Sequence, residues 1–406
     1  MRDLVLKRTW AEIDLDRIEE NYRQIRACTK KNAMVCCVIK ADAYGHGAIK
    51  IALELQRLGA DYFGVSNLEE ALQLRESGIR IPILILGYTP AEHAEILAKA
   101  DIRQCVYSAE YAKSLSDCAV KSGVTVNCHL KIDTGMNRLG ISAGDPAAEP
   151  MNRTDSGLID ELLEICSLPS LGFTGIFTHF AVSDDGAEGR EFTLAQYRRF
   201  IDVAHALEKA GKSFEIRHCA NSGAVLDYPE THLDMVRAGI VLYGLYPSAK
   251  SSRRTHLEPA LSLKSVVAYV KDIHKGDTVS YGRIFTAAAD MRIATVPIGY
   301  ADGYPRILGE CGASAVVNGQ LCKIAGRVCM DQLMLDVTGV PDVGIGTIVT
   351  LIGRDDGAEV TAETLASCEG SINYEVICDI GKRVPRVYIK DGEIESTLNM
   401  YAEYFV

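Results

Sequence analysis

Val38-Ile39-Lys40-Ala41-Asp42-Ala43-Tyr44-Gly45-His46-Gly47 joins a short apolar run to a glycine-punctuated turn, and its reading decides the fold. Before it, Ala33-Met34-Val35-Cys36-Cys37-Val38-Ile39 is continuously apolar without helical periodicity, the pattern of a strand buried on both faces. After it, Ile49-Lys50-Ile51-Ala52-Leu53-Glu54-Leu55 has the spacing of a helix. Lys40 therefore leaves the carboxyl end of a buried strand. Desolvation there lowers an ammonium pKa and opens the neutral amine to Schiff-base chemistry with an aldehyde cofactor. A lysine that merely snorkels out of a strand end gives the same local pattern, so its neighbours must decide.

Outward from Lys40, short apolar runs alternate with helical patterns up to about Tyr246. The strands expected are Met34–Ile39, Tyr62–Val65, Ile81–Leu86, Ile102–Tyr107, Thr125–Ile132, Phe173–Thr178, Glu215–Cys219 and Asp234–Arg237. Between them lie helical patterns at Leu68–Ser77, Ala91–Ala100, Ala109–Ser122, Leu158–Cys166 and Phe192–Ala210. Eight such alternations fit an α/β fold, a TIM-type (β/α)8 barrel over residues 14–250. An open doubly wound sheet is the alternative, weakened because no G-x-G-x-x-G follows any strand. From residue 251 to 406 the runs are closer and turn-rich: Leu263–Val270, Thr278–Tyr281, Arg292–Pro297, Ala313–Val317, Gln332–Val337 and Ile348–Leu351, with one helical pattern at Ala362–Cys368. This reads as a mainly antiparallel C-terminal β domain. The opening run Asp3–Ile13 reads as a strand, and residues 1–13 are assigned to that domain.

The length of 406 residues suits two domains, and 48% hydrophobic with 24% charged residues is ordinary for a globular enzyme. A net charge of −11 argues against a nucleic-acid surface. No apolar run nears the roughly 20 residues of a membrane helix, and the early charges Arg2, Asp3, Lys7 and Arg8 interrupt any secretory stretch. The 13 cysteines show neither C-x-x-C pairs nor zinc-like spacing, so reduced thiols in a cytoplasmic protein without a metal are expected. Asn152-Arg153-Thr154 is then a chance match to a glycosylation acceptor.

Function in a parallel barrel gathers at the carboxyl ends of the strands. Lys40 ends the first; Lys131 and Arg138 leave the fifth; His179 ends the sixth; Asn221 and Ser222 follow the seventh; Arg237, Gly239 and Ile240 end the eighth. Loops after the last two strands often hold a phosphate, which suits Ser222, Gly239 and Ile240. Ser222 also reads as a helix N-cap.

The segment Ile39–Gly47 resembles the pyridoxal-phosphate attachment signature of the alanine racemases. Further resemblance runs in order along nearly the whole chain, through Thr9–Ile13, Lys131–Gly140, Thr178–Ala181, Ala220–Ser222, Arg237–Gly244, Val279–Gly282, Gly299–Gly303, Gly326–Asp331 and Asn373–Val376. The resemblance implies a pyridoxal 5'-phosphate enzyme with Lys40 covalently holding the cofactor. Tyr44, Ser222, Gly239, Ile240 and Tyr374, with Asn221 beside them, would bind its phosphate. Arg237 would face the pyridine nitrogen, Arg138 the phenolic oxygen, and His179 the ring. Lys131 matches a lysine that is often carbamylated in the family. Tyr281 and the backbone at Met330 would come from the partner subunit of a homodimer, as second base and, with Arg138, as substrate carboxylate contacts. Asp184, Tyr300, Arg306 and Arg327 would line the entrance.

Racemisation needs a base on each face of Cα, which by this resemblance Lys40 and Tyr281 would supply. An arginine at the pyridine nitrogen cannot surrender its proton, so the cofactor becomes a weaker electron sink with fewer side reactions. The resemblance favours interconversion of L- and D-alanine for cell-wall peptidoglycan. Serine or broad-specificity racemases of the same family are the alternative, and Tyr374 would crowd a β-hydroxyl by a factor of about 10–200. A non-catalytic pyridoxal-phosphate binding protein would lack the β domain. A barrel-type decarboxylase would carry a glycine-rich phosphate loop, and no Gly-Gly-Gly occurs here. The loops Val182–Gly186 and Asp145–Thr154 are read as variable.

Overall fold

The apolar run before Lys40 forms the strand Met34–Val38, the first of eight parallel strands. The computed structural model describes residues 8–144 and 156–400. The loop Asp145–Thr154, the Asn152–Thr154 motif and the start of the Asp3–Ile13 run lie outside the described residues.

Around the barrel, Met235–Ala238 pairs with Met34–Val38, followed by Tyr62–Val65, Ile83–Ile85, Ile102–Val106, Val126–Asp133, Leu171–Phe177 and Ile216–His218, every ladder parallel. The last gap has no ladder. Single backbone bonds bridge it, from Asp234 N to Arg217 O (3.1 Å) and from Arg237 N to Ala220 O (2.9 Å). That nearly closed ring rules out the open doubly wound alternative. Cys36, Tyr62, Leu84, Ile216 and Met235 pack one buried layer across it, so the interior is a core rather than a pore.

Helices fall where the periodicity places them, at Ala48–Arg57, Leu68–Glu76, Ala109–Ser122 and Ser156–Ser167. Two differ from expectation. The pattern at Ala91–Ala100 opens as a 3-10 turn, Ala91–His93, before the α-helix Ala94–Lys99. The sixth-strand helix begins at Gly186 and runs to Lys209, because Glu188, Arg190 and Glu191 hide its first turns from an apolar count. The turn after Lys40 is not simply glycine-led. Ala41, Asp42, Ala43 and Tyr44 all take left-handed helical angles, with φ of 52–54°. Each such non-glycine residue costs about 1–2 kcal/mol.

Among the described residues, the other compact unit consists of residues 8–18, 44–47 and 259–400. Its main sheet runs Gln320–Lys323, Ser314–Val317, Ile348–Asp355, Leu261–Val266, Thr9–Asp14, Arg386–Lys390, Glu393–Leu398. Thr9–Asp14 pairs antiparallel with Leu261–Val266 and parallel with Arg386–Lys390, the exception in a sheet otherwise antiparallel along this path. A second sheet joins Tyr269–Ile273, Met291–Val296 and Leu333–Asp336. The helix Ala362–Glu369 is followed by Asn373–Cys378, six residues that are too short to show a period.

One expectation is corrected. Cys311 and Cys368 form a disulfide with Cα atoms 5.6 Å apart, while the remaining 11 cysteines are free. The partners lie 57 residues apart, so no local spacing signals the bond. Among the described residues no helix is long and apolar enough to cross a membrane.

Candidate active site

Arg237 is the hub of the barrel half of the site. It ends the eighth strand, is 3% exposed, and donates to four acceptors. These are Nδ1 of His218 (2.9 Å), Nδ1 of His179 (3.2 Å), and the carbonyls of Thr178 (2.9 Å) and Cys219 (3.0 Å). Phe177 is the shared platform beneath. The ring of His218 stacks on it at 4.7 Å, and the Arg237 guanidinium and the Lys131 ammonium lie 5.5 and 5.2 Å from its centroid.

This floor concentrates positive charge. Burial pushes the His179 pKa well below its ordinary value, and Arg237, Lys131, Arg138 and Lys40 push it further. His179 is therefore a neutral imidazole. Because a guanidinium only donates, its Nδ1 accepts from Arg237 and its proton sits on Nε2. Burial lowers Lys131 to about 7 and Arg237 to about 10, so Arg237 stays charged at neutral pH. The nearby carboxylate of Asp133 is occupied by the N–H groups of Gly135 (2.8 Å), Met136 (2.9 Å) and Arg138 (3.2 Å), which shapes the loop bearing Arg138.

Asn221, rather than Ser222, caps the helix Ser222–Asp227, its side chain accepting from Ala224 N at 3.2 Å. Ser222 is instead the first helical residue, and its Oγ accepts from Gly239 N at 2.9 Å. That bond ties the loops after the seventh and eighth strands together just before the 3-10 turn Ile240–Tyr243. Glu70, which the sequence reading passed over, steadies the turn that carries Lys40. Its carboxylate accepts from Ala41 N and Ser66 N, both at 2.7 Å. Asp42 accepts from Ala48 N at 2.7 Å and starts the following helix. Asp184 is half-buried, and desolvation raises its carboxyl pKa.

The second unit gathers the other residues singled out from the sequence. Ser280 Oγ donates to Arg327 O at 2.6 Å, and a Cβ on Gly282 would stand 2.5 Å from the Arg327 guanidinium, so the Tyr281 turn lies on Arg327. Tyr300 N and Ala301 N donate to Cys329 O (3.1 Å) and Met330 O (3.0 Å). Arg327 and Arg306 share Glu310, at 2.8 and 3.5 Å. Tyr44 and Tyr374 face each other with ring centroids 6.1 Å apart. Buried Arg386 holds the Tyr44–Gly47 turn by donating to Gly45 O at 2.9 Å.

A lysine at a strand end, a cationic floor and a serine–glycine loop pair are a donor set that fits a phosphorylated, electron-poor aldehyde. They define a barrel enzyme of the pyridoxal-phosphate class. Residues 13–247 match the family model described as the alanine racemase N-terminal domain, and residues 260–388 the alanine racemase C-terminal domain. The chain is 44% identical to an alanine racemase of Clostridium perfringens, covering 98% of this chain and 99% of the relative. A relative from Desulfovibrio desulfuricans is also 44% identical, over 94% and 98%. The solved alanine racemase of Clostridium difficile superposes with a TM-score of 0.89 at 39% identity, over 98% and 99%. That of Bacillus anthracis with bound L-Ala-P gives 0.88 at 36%, over 98% and 99%. The chain belongs to the alanine racemase family, isomerases that interconvert L- and D-alanine with pyridoxal phosphate.

Beside Glu70, the sequence reading missed His129, His218 and Phe177. Their strands also carry other polar residues, Asn127, Lys131 and Asp133 in one and Arg217 in the other, so no single signal marked them.

Proposed function

We propose that the chain racemises alanine with Lys40 and Tyr281 as opposed bases, in a homodimer whose sites take Lys40 from one subunit and Tyr281 and Met330 from the other. The observation that carries this reading is the buried Arg237 guanidinium, bonded to Nδ1 of both His179 and His218 over the Phe177 ring with Lys131 beside it. Pyridoxal phosphate supplies an aldehyde carbon that condenses with an amine and a ring that takes up the electrons of a Cα–H bond.

Lys40 would hold the cofactor and move a proton on one side of Cα. Tyr281 would move it on the other, with the Nε2–H of His179 available to a phenolate oxygen. Arg237 would donate to the pyridine nitrogen and Arg138 to the phenolic oxygen and the substrate carboxylate. Tyr44, Asn221, Ser222, Gly239, Ile240 and Tyr374 would hold the phosphate. A Lys131 amine with a pKa of about 7 is open to CO2, which supports carbamylation there. Asp184, Tyr300, Arg306 and Arg327 would line the entrance. The product D-alanine would serve peptidoglycan synthesis in the cytoplasm, a compartment that suits 11 free cysteines.

The test follows optical rotation of L-alanine and L-serine with the cofactor-loaded protein. Rotation should vanish with alanine, and at least about tenfold more slowly with serine. Unchanged rotation of alanine would overturn the reading. Mixing Lys40→Ala with Tyr281→Phe chains should restore activity through hybrid sites, and no recovery would place both bases on one chain.

A further inference from the structure

The barrel wall is irregular twice at one place. The ladder between Val126–Asp133 and Leu171–Phe177 shifts register between Cys128 and His129, and such a bulge re-aims the side chain at the shift. Opposite His129 stands Gly175, where a Cβ would sit 2.5 Å from the imidazole Nδ1. The backbone is thus shaped to admit one buried imidazole that is no part of the site singled out from the sequence.

The hydrogen bonds of that imidazole have a fixed direction. His129 Nδ1 lies 2.9 Å from His218 Nε2, and His218 Nδ1 lies 2.9 Å from the Arg237 guanidinium. Arginine can only donate, so His218 Nδ1 must accept. Burial drives the pKa of His129 to about 3 and that of His218 well below its ordinary value, so both rings are neutral. His218 then carries its proton on Nε2 and donates it to His129, which carries its own on Nε2. Among the described residues that last nitrogen, also buried, has no hydrogen-bond partner. One donor is left unpaired at the far end of the chain, while the lone pair of each ring points back toward Arg237.

We propose that His129 is a positioning residue for Arg237: by accepting from His218 it locks that ring with its lone pair on the guanidinium, and so fixes the edge Arg237 presents to the pyridine nitrogen. The inference rests on the proposed placement of that nitrogen against Arg237. His129→Leu removes the acceptor, whereas His129→Asn keeps a carbonyl oxygen near the position of Nδ1.

The experiment records nitrogen-15 histidine spectra of the full-length wild type and both variants, with and without pyridoxal phosphate, and titrates cofactor affinity. Wild type should show His218 purely as the Nε2–H tautomer. His129→Leu should mix its tautomers and weaken cofactor affinity about tenfold, the size of one buried hydrogen bond; His129→Asn should stay near wild type. Should His129→Leu fail to fold, Gly175→Ala displaces the ring without deleting it, and the same mixing is expected. An unchanged His218 tautomer in the leucine variant overturns the proposal, as does an asparagine variant that falls equally far, which would mean packing alone. If His218 signals ignore added cofactor in wild type while the variants still differ in tautomer, the placement of the pyridine nitrogen fails and takes the last link of the proposal with it.

Discussion

The barrel floor and the ledge of the second unit are built on opposite terms. Arg237 is 3% exposed and donates to four protein acceptors, and Lys131 is 5% exposed. Tyr281 is 66% exposed and Met330 53%, on turns anchored by backbone contacts rather than by burial of their side chains. Electrostatic preorganisation requires donors that cannot relax, which the floor supplies within one chain. Tyr281 and Met330, with Ile284 and Tyr300, leave apolar surface exposed, which the proposed homodimer would cover. The difference separates side chains fixed by burial from side chains left exposed on anchored turns.

The largest effect should break that contrast if it is wrong. Arg237→Leu removes the donor to three buried acceptors and one part-buried one, the buried ones each worth about 1–3 kcal/mol when orphaned. It should lower both the unfolding midpoint and activity, the latter by at least about a thousandfold. Tyr281→Phe should cost about 10²–10⁴ in activity and leave the midpoint within about 0.5 kcal/mol. Thermal melts beside racemisation rates decide it, and a comparable stability loss in both variants would erase the distinction.

The second unit has a covalent tie that the floor lacks. Closing a 57-residue loop through Cys311–Cys368 contributes about 4 kcal/mol by loop entropy. Dithiothreitol should lower the melting temperature of wild type and leave Cys311→Ser unmoved; equal melts with and without reductant would mean the bond contributes little. A smaller effect belongs to Glu70. Glu70→Ala releases the exposed N–H groups of Ala41 and Ser66 to water and should cost about 0.5–1.5 kcal/mol in melts, with activity falling alongside as the left-handed turn loosens.

The two regions were unequally legible in the sequence. Apolar runs announced all eight barrel strands to within two residues, because a strand buried on both faces cannot disguise its composition. The β unit was harder. Gln320–Lys323 and Glu393–Leu398 carry polar edges, and only their sheet partners make them strands. Residues of the floor that end strands, Lys40, His179 and Arg237, stood out because polarity there is unexpected. Those that support them did not. His129 shares its strand with Asn127, Lys131 and Asp133, and His218 follows Arg217, so neither is the lone polar residue of its strand, and Glu70 looks like any charge in a first helical turn. Four consecutive left-handed residues after Lys40 had no signature, since alanine and tyrosine do not favour that conformation.

The finest test of the floor is its pH dependence. Burial lowers Lys131 from 10.5 to about 7, so the folded barrel holds its amine neutral where the unfolded chain still binds a proton. Between pH 7 and 10.5 the unfolded state therefore carries more protons, and stability should rise with pH by up to about 1.4 kcal/mol per unit. Below pH 7 both states are protonated and the contribution is absent; above 10.5 it is complete. In CO2-free buffer, where Lys131 is the free amine, Lys131→Met should flatten this rise, which denaturant titrations at several pH values would show. Equal slopes in the two proteins would mean that Lys131 keeps its proton when folded.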